Sequence, residues 1–189
     1  MKLEKELSVL VDTTYPKLHQ ILLEKGFLVK EKYNIDDIYM IPTSIDIFAT
    51  PELELLQNCV LIRKVTEENH VERKLVYKYK KFASNGDILE QGKVQCKIEN
   101  EKDAYLFMTF IHYKELINIH DSCIIYTNNH MELCIQLVND KYIFIEYECH
   151  SNKDINEMIK ELKSLDLPIR SDNYFVKKAL LVFEDTYQR

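Results

Sequence analysis

The chain has 189 residues, a net charge of −6 and a hydrophobic fraction of 46%. This length favours a single domain over residues 1–189 with a sizeable core, and the hydrophobic fraction excludes an intrinsically disordered chain. The negative charge argues against a general nucleic-acid binder, although it leaves room for a local basic pocket. The five cysteines include no C-x-x-C pair, and no apolar run approaches about 20 residues. We therefore expect a reduced, cytoplasmic protein without a membrane span, and the abundance of Ile, Lys and Asn suggests an AT-rich bacterial genome.

The first ten residues predict a strand with two different faces. Leu3, Leu7 and Val9 share one face, whereas Glu4 and Glu6 lie on the other together with Ser8. The capping residues 12–14 and a proline at position 16 then predict a helix, which a glycine at position 26 ends.

The middle of the chain predicts strands with basic faces. Strands are expected over residues 27–32, 37–41, 58–65, 73–81 and 92–98, with a turn at 84–87 that pairs the last two as a hairpin. Arg63, Lys78 and Lys93 lie on the polar faces of three of these strands. Tyr77 and Tyr79 lie on the opposite face, where we expect them to join the core.

The remaining residues predict a helix, three strands and two further helices. The first helix covers residues 100–112, and its apolar stripe consists of Ala104, Phe107, Met108 and Ile111. Strands follow over residues 118–127, 130–138 and 143–148. Ser151 or Asn152 caps a helix that ends at Leu167-Pro168, and a final helix runs from about residue 172 to 183.

The last predicted strand carries Glu146 and Glu148 at alternate positions, as the first strand carries Glu4 and Glu6. Four carboxylates on two strands could meet in one volume, and oxygen ligands suit a hard cation such as Mg²⁺ or Mn²⁺. The alternative is two sheet faces that are simply exposed to water.

The polar faces of the predicted strands are sorted by charge, acidic on the first and last strands and basic on three of the middle ones. A barrel that turned these faces inward would have a charged lumen, whose charges must be paired or ligated. We therefore predict an α+β fold: a closed antiparallel β-barrel of about eight strands with a charged lumen, flanked by about four helices. Acids that hold metal and bases that hold anions would together receive a metal-bound polyphosphate.

Short motifs along nearly the whole chain resemble those of the CYTH, or triphosphate tunnel metalloenzyme, superfamily. Residues 4–8 resemble its E-x-E-x-K, 37–40 its D-x-Y-F, 60–63 its L-R-I-R, 75–78 its L-T-Y-K, 93–97 its R-x-E-x-E, 146–148 its E-I-E and 173–174 its serine-tyrosine pair. The resemblance implies metal ligands at Glu4, Glu6, Glu146 and Glu148, of which Glu4 and Glu6 would also be catalytic, and phosphate contacts at Arg63, Lys78 and Lys93.

The chain departs from these motifs at five positions. Ser8 replaces a lysine, Leu61 an arginine, Asp121 and Cys123 a K-x-R pair, and Gln136 an aspartate. Each lost contact to a phosphoryl-transfer transition state could cost on the order of tenfold to a thousandfold in rate. Whether the chain is an active enzyme is therefore open.

Three functions remain. The resemblance implies a Mg²⁺- or Mn²⁺-dependent hydrolase of a small-molecule triphosphate or polyphosphate, or an adenylate cyclase of class IV type. The departures favour a third alternative, a catalytically degenerate phosphoanion-binding protein. A homodimer is left open, and His120 and His130 are expected at the surface.

Overall fold

The computed structural model describes residues 6–82, 88–148 and 153–188, with only the backbone described for residues 79–82 and 88–91. Glu4, Tyr79, the turn at 84–87 and the caps Ser151 and Asn152 therefore lie outside the described residues or side chains. The described residues form an α+β fold of eight strands and five helices. The strands are β1 (Glu6–Leu10), β2 (Leu28–Pro42), β3 (Val60–Thr66), β4 (Val71–Phe82), β5 (Ile88–Lys97), β6 (Tyr113–Thr127), β7 (Glu132–Val138) and β8 (Tyr142–Glu148). The helices are α1 (Tyr15–Glu24), α2 (Glu52–Gln57), α3 (Glu101–Phe110), α4 (Ile155–Ser164) and α5 (Lys178–Tyr187).

The strands form one antiparallel sheet in the order β1-β8-β7-β6-β2-β3-β4-β5. Within the described residues the chain divides into two compact units. Unit 1 comprises residues 34–120 and 177–188, and unit 2 comprises residues 6–33 and 121–176. The single domain over residues 1–189 stays a prediction.

Unit 1 has a core between one face of its strands and α3. Met40 and Ile62 are buried there against Ala104 and Met108 of the helix. Asn100 begins α3, because its side chain accepts a hydrogen bond from the Asp103 amide at 2.8 Å.

Two predictions for this face are wrong. Phe107 of α3 is 57% exposed, and Ile111, the C-cap after the helix, is 45% exposed. The helix buries only a narrow stripe, Ala104 and Met108, which lie one turn apart. Tyr77 is 42% exposed, because it pairs with Val94 of the terminal strand β5, where the sheet face is uncovered.

Unit 2 buries a core beneath α1 and α4. Leu18 and Leu22 of α1 and Met158 and Leu162 of α4 pack with the apolar faces of β1, β6, β7 and β8. Gly26 follows α1 at φ +81°, a conformation that glycine adopts without strain, as the sequence predicts. A capping box between Asp154 and Glu157 begins α4.

Segment 168–176 lies along the outer edge of β1. The Ser8 amide donates to the Tyr174 carbonyl, and the Val176 amide donates to the Ser8 carbonyl, both at 2.9 Å. The Arg170 amide donates to the Leu10 carbonyl at 2.8 Å. These bonds occupy both outward backbone groups of Ser8 and the carbonyl of Leu10, so pairing of another strand with the middle of this edge would have to displace the segment.

The predicted closed barrel is therefore not confirmed. In the described part of the chain β1 and β5 are the ends of the sheet, and no ladder joins them. The same edge bonds explain why α5 begins at Lys178 and not near residue 172, since residues 174–176 are extended beside β1.

Three further boundaries differ from the predictions. The two strands expected over 27–32 and 37–41 form the single long strand β2. Residues 43–57, which the sequence leaves unassigned, contain the short helix α2, so the helices number five within the described residues. Helix α4 ends at Ser164, earlier than Leu167. No helix in the described residues is long and apolar enough to cross a membrane.

Hydrogen exchange tests the edge bonds of β1. We expect the amides of Arg170 and Val176 to exchange about as slowly as amides inside the strands of unit 2, although neither residue lies in a strand. Exchange at the rate of an unstructured peptide would contradict the pairing and would leave the edge of β1 available for barrel closure.

Candidate functional site

Basic side chains lie together on one face of unit 1. Arg63 lies opposite Lys74 across β3 and β4, Lys74 opposite Lys97 across β4 and β5, and Lys78 opposite Lys93. Ile62 and Leu75 alternate with these residues and face α3, so the basic residues occupy the other face of the sheet. We call this set, Arg63, Lys74, Lys78, Lys93 and Lys97, the basic face.

Arg63 is engaged by a buried carboxylate. Its Nε and Nη2 atoms donate to Oδ1 and Oδ2 of Asp37 at 2.7 and 2.6 Å. The Asp37 side chain has no exposed surface, and that of Arg63 is 19% exposed. The pair is bidentate because Asp37 lies directly opposite Arg63 across β2 and β3. The Arg63 guanidinium therefore compensates a buried charge, which limits what it can offer to a ligand.

The remaining basic residues form two rungs across β4 and β5. In the first rung Glu72 lies 2.5 Å from the Lys74 ammonium and 3.8 Å from that of Lys97. These contacts lower the pKa of Glu72, chiefly through the hydrogen bond from Lys74. The second rung consists of Lys78 and Lys93, two like charges directly opposite each other. At the strand rise of about 3.3 Å per residue, the rungs lie roughly 13 Å apart.

Unit 2 has a face that carries carboxylates. Glu6 lies opposite Glu148 across β1 and β8, and Ser8 lies opposite Glu146. Glu146 also lies opposite Cys134 of β7 and accepts a hydrogen bond from Gln136 Nε2 at 2.5 Å. The three predicted acids that the structure describes thus share one face of unit 2.

Three residues that depart from the family motifs lie around Glu146. Ser8 and Gln136 are its neighbours, and Cys123 lies opposite Gln136 across β6 and β7. The Tyr33 hydroxyl lies 3.7 Å from the Cys134 sulfur. Burial raises the pKa of Tyr33, and its interactions with the Cys134 and Cys123 thiols and with Glu146 add to the rise, so the hydroxyl remains protonated. Ser8, Cys134 and Gln136, three described neighbours of Glu146, are thus uncharged side chains.

A metal site cannot be assembled from these residues alone. Among the residues that the structure describes, no three His, Cys, Asp or Glu side chains are grouped so that they could hold a metal ion. Glu4, one of the four predicted ligands, lies outside that part of the chain. The metal set of Glu4, Glu6, Glu146 and Glu148 stays a prediction, as does a lumen common to both charged faces.

Sequence reasoning missed the partners of the predicted site residues. Asp37 belongs to a motif, but its pairing with Arg63 depends on the register of β2 and β3, which no local pattern specifies. The Glu72 contact to Lys74 is likewise a matter of side-chain geometry. His120 and His130 are exposed, as expected, and His120 contacts Asp36 at 2.7 Å.

Comparisons with known proteins find similarity in structure but not in sequence. No family model and no curated protein matches the chain. The PH1819 protein from Pyrococcus horikoshii has 18% identity and a TM-score of 0.70, with 96% of this chain and 99% of that chain covered. The resemblance to the CYTH superfamily is confirmed at the level of the fold.

Two further solved structures share this fold. A "putative adenylate cyclase" from Vibrio parahaemolyticus has 10% identity and a TM-score of 0.60, over 95% of this chain and 98% of that one. A chain of the Schizosaccharomyces pombe Mediator head module has 9% identity and a TM-score of 0.60, over 89% and 98%. The fold thus occurs both in a protein described as an enzyme and in a component of a large assembly.

Removing one member of the Arg63–Asp37 pair should destabilise the fold. Arg63→Met should lower the free energy of unfolding by about 3 kcal/mol, because it leaves the fully buried Asp37 charge without a partner. Asp37→Asn should cost less, since Arg63 retains some exposure, and the double variant should cost less than the sum of the two. Denaturant unfolding measures all three values.

The neighbouring pair Lys64–Asp36 provides a matched control at the adjacent register position. Its atoms lie 3.5 Å apart, and both side chains are about one-third or more exposed. Lys64→Met should therefore cost less than about 1 kcal/mol. Equal costs for Arg63→Met and Lys64→Met would contradict a buried, structural ion pair.

Proposed function

We propose that the protein binds a phosphoanion, such as a triphosphate, a polyphosphate or a nucleoside triphosphate, on the basic face of unit 1. The observation that carries the proposal is the placement of Lys78 directly opposite Lys93. Two ammonium groups in directly opposite positions on one face of a sheet can attract the same anion. The adjacent rung, in which Lys74 and Lys97 flank Glu72, extends the positive surface.

The roles of the basic residues differ. Lys78 and Lys93 would bind phosphate oxygens as point charges, whereas Arg63 would contribute through the field of the Arg63–Asp37 pair. Lys74 and Lys97 would act on the neighbouring part of an extended anion. The description of a structural neighbour as a putative adenylate cyclase supports a nucleotide as one ligand of this class.

A divalent cation, Mg²⁺ or Mn²⁺, is part of the proposal. Glu6, Glu146 and Glu148 share a face of unit 2, and with Glu4 they would supply the oxygen ligands that such ions prefer. An ion held by these carboxylates would supply a Lewis acid and would lower the pKa of its bound water. No three of the described carboxylates are grouped so that they could hold an ion, and the proposal therefore requires Glu4, which lies outside the described residues.

We propose that catalysis is weak or absent. Gln136 donates a hydrogen bond to Glu146, so one of the predicted metal ligands is held by an amide. Leu61 stands where the motif has an arginine. Because Leu61 is buried, a charged side chain could take its place only if the surrounding residues rearranged. Hydrolysis of a triphosphate and cyclisation of a nucleotide are the two enzyme alternatives. A cytoplasmic location, a bacterial source and a homodimer stay predictions.

The anion site is tested by calorimetric titration with tripolyphosphate. Lys78→Ala and Lys93→Ala should each weaken binding about tenfold, because each removes one charge-assisted contact. Lys102→Ala, on the exposed surface of α3, is the matched control and should bind as the unaltered protein does. Binding should also weaken at higher salt.

Unaltered affinity in the Lys78→Ala/Lys93→Ala double variant would contradict this site. Release of phosphate from tripolyphosphate, thiamine triphosphate and ATP, measured with Mg²⁺ and Mn²⁺, separates hydrolase from binder. Formation of cyclic AMP would identify a cyclase. We expect little turnover in any of these assays.

The metal set is tested by thermal unfolding in millimolar Mn²⁺. A bound ion should raise the melting temperature by mass action, and Glu146→Gln should reduce that rise because it removes one carboxylate. Glu68→Gln alters an exposed residue after β3 and should leave the rise unchanged. A melting temperature that does not respond to Mn²⁺ would contradict the metal set without affecting the anion site.

A further inference from the structure

Helix α3 of unit 1 and its C-cap expose four large apolar side chains. Leu106, Phe107, Phe110 and Ile111 are 52%, 57%, 79% and 45% exposed. They adjoin one another along the helix, because residues three and four positions apart are neighbours on its surface. The sequence has no charged residue between positions 104 and 111. We call these four residues the α3 stripe. An exposed apolar area of this kind, with polar residues at its ends, is typical of an interaction surface.

The α3 stripe is separate from the core and from the basic face. The helix contacts the core of unit 1 through Ala104 and Met108, which are buried against the sheet. The basic face lies on the other side of that sheet. A partner that covered the stripe would therefore leave the proposed anion site open, and the two proposals can be tested independently.

Polar groups that can pair with each other lie at the two ends of the stripe. Asp103 is exposed in the first turn of α3, and His112 is exposed directly after the C-cap. If two α3 helices paired antiparallel, the Asp103 end of each would lie beside the His112 end of the other. A histidine can donate a hydrogen bond in either protonation state, and the carboxylate can accept one. The two helix dipoles would also be antiparallel, which is favourable.

The midpoint between residues 103 and 112 determines which residues meet in such a pair. It lies beside Phe107, so a two-fold axis at this point brings the two stripes together. A contact of this type is isologous, because the same surface of each copy is used, and association stops at two copies. Pairing thus covers apolar surface and matches the polar ends in one arrangement.

The exposed area of the stripe agrees with a weak dimer. An aromatic side chain has an area of about 150–250 Å², so the two phenylalanines together expose about 270 Å² in each copy. With Leu106, Ile111 and a polar rim, the contact would bury on the order of 1,200 Å² in total, the lower end of specific interfaces. A membrane fits the surface less well, because Glu99, Glu101 and Asp103 surround the start of α3 and anionic lipids would repel them.

We propose that the α3 stripe is the interface of a homodimer, in which two α3 helices pair antiparallel about a two-fold axis near Phe107. The dimer is reversible, and its dissociation constant lies in the micromolar range that an interface of this size favours. Each copy keeps its basic face accessible on the opposite side of the sheet.

Sedimentation velocity of the full-length protein tests the dimer. Between about 1 and about 500 µM, the mass should rise from 22.5 kDa towards twice that value. Leu106→Asp and Phe110→Asp should each raise the dissociation constant about 100-fold or more, because each places a carboxylate in the centre of the contact. Leu28→Asp is the matched control: Leu28 is 67% exposed in unit 2, and the variant should dimerise as the unaltered protein does.

Thermal unfolding separates loss of the dimer from loss of the fold. The melting temperature of the unaltered protein should increase with protein concentration, whereas that of Phe110→Asp should not. At the lowest concentration the two proteins should unfold at similar temperatures, because Phe110 is 79% exposed. A markedly lower melting temperature for Phe110→Asp at that concentration would assign the side chain to the fold and contradict a free stripe.

A charge exchange tests the antiparallel arrangement. Asp103→Lys should weaken dimerisation about tenfold, and adding His112→Asp should restore most of the affinity, because the charges at the two ends are then exchanged. Aspartate is suitable at position 112 because it tolerates the positive φ of 65° found there. Failure of the second change to restore affinity would overturn the antiparallel pairing.

Three further results would overturn the proposal. The first is a mass that stays at 22.5 kDa at the highest concentration. The second is equal dimerisation of Phe110→Asp and Leu28→Asp, which would place the contact on another surface. The third is a monomer that binds vesicles of phosphatidylcholine and loses this binding in Phe110→Asp, which would assign the stripe to a lipid surface. Growth of the mass beyond two copies would contradict an isologous contact.

Discussion

The ion pair between Arg63 and Asp37 determines how charge is distributed over unit 1. Asp37 is buried completely, so its charge requires a partner, and the register of β2 and β3 gives it Arg63 in bidentate geometry. An arginine so engaged cannot leave for a ligand without exposing an uncompensated carboxylate. Arg63, the residue whose motif most suggests phosphate binding, is therefore committed first to Asp37.

The replaced motif positions act together and not as isolated losses. Ser8, Cys123 and Gln136 come from three different strands, yet the register brings them into the surroundings of Glu146. Gln136 satisfies Glu146 with a neutral amide where the motif has a carboxylate. The loss of a carboxylate at position 136 therefore also changes what Glu146 can bind. The anion binding proposed for unit 1 would not require these residues, whereas metal-dependent catalysis would.

The alternation of polar and apolar residues along the strands allowed much of the fold to be predicted, together with which residues share a face of the sheet. Lys78 and Lys93 could be assigned to one polar face because β4 and β5 alternate regularly and pair as a hairpin. Closure of the barrel could not be predicted in the same way. It depends on whether the outer edge of β1 is free, and segment 168–176, which reads as part of a helix, occupies that edge through backbone bonds. Backbone pairing between distant segments leaves little signal in side-chain patterns.

The same distinction applies to Tyr39. A tyrosine in an apolar strand is ordinarily a core residue, and this residue is indeed buried. Its position opposite Leu61, on the strand face that carries Asp37, follows from the register of β2 and β3, which side-chain alternation alone does not specify. In a chain of net charge −6, the basic face of unit 1 is a local cluster, and such a cluster is compatible with an acidic surface elsewhere.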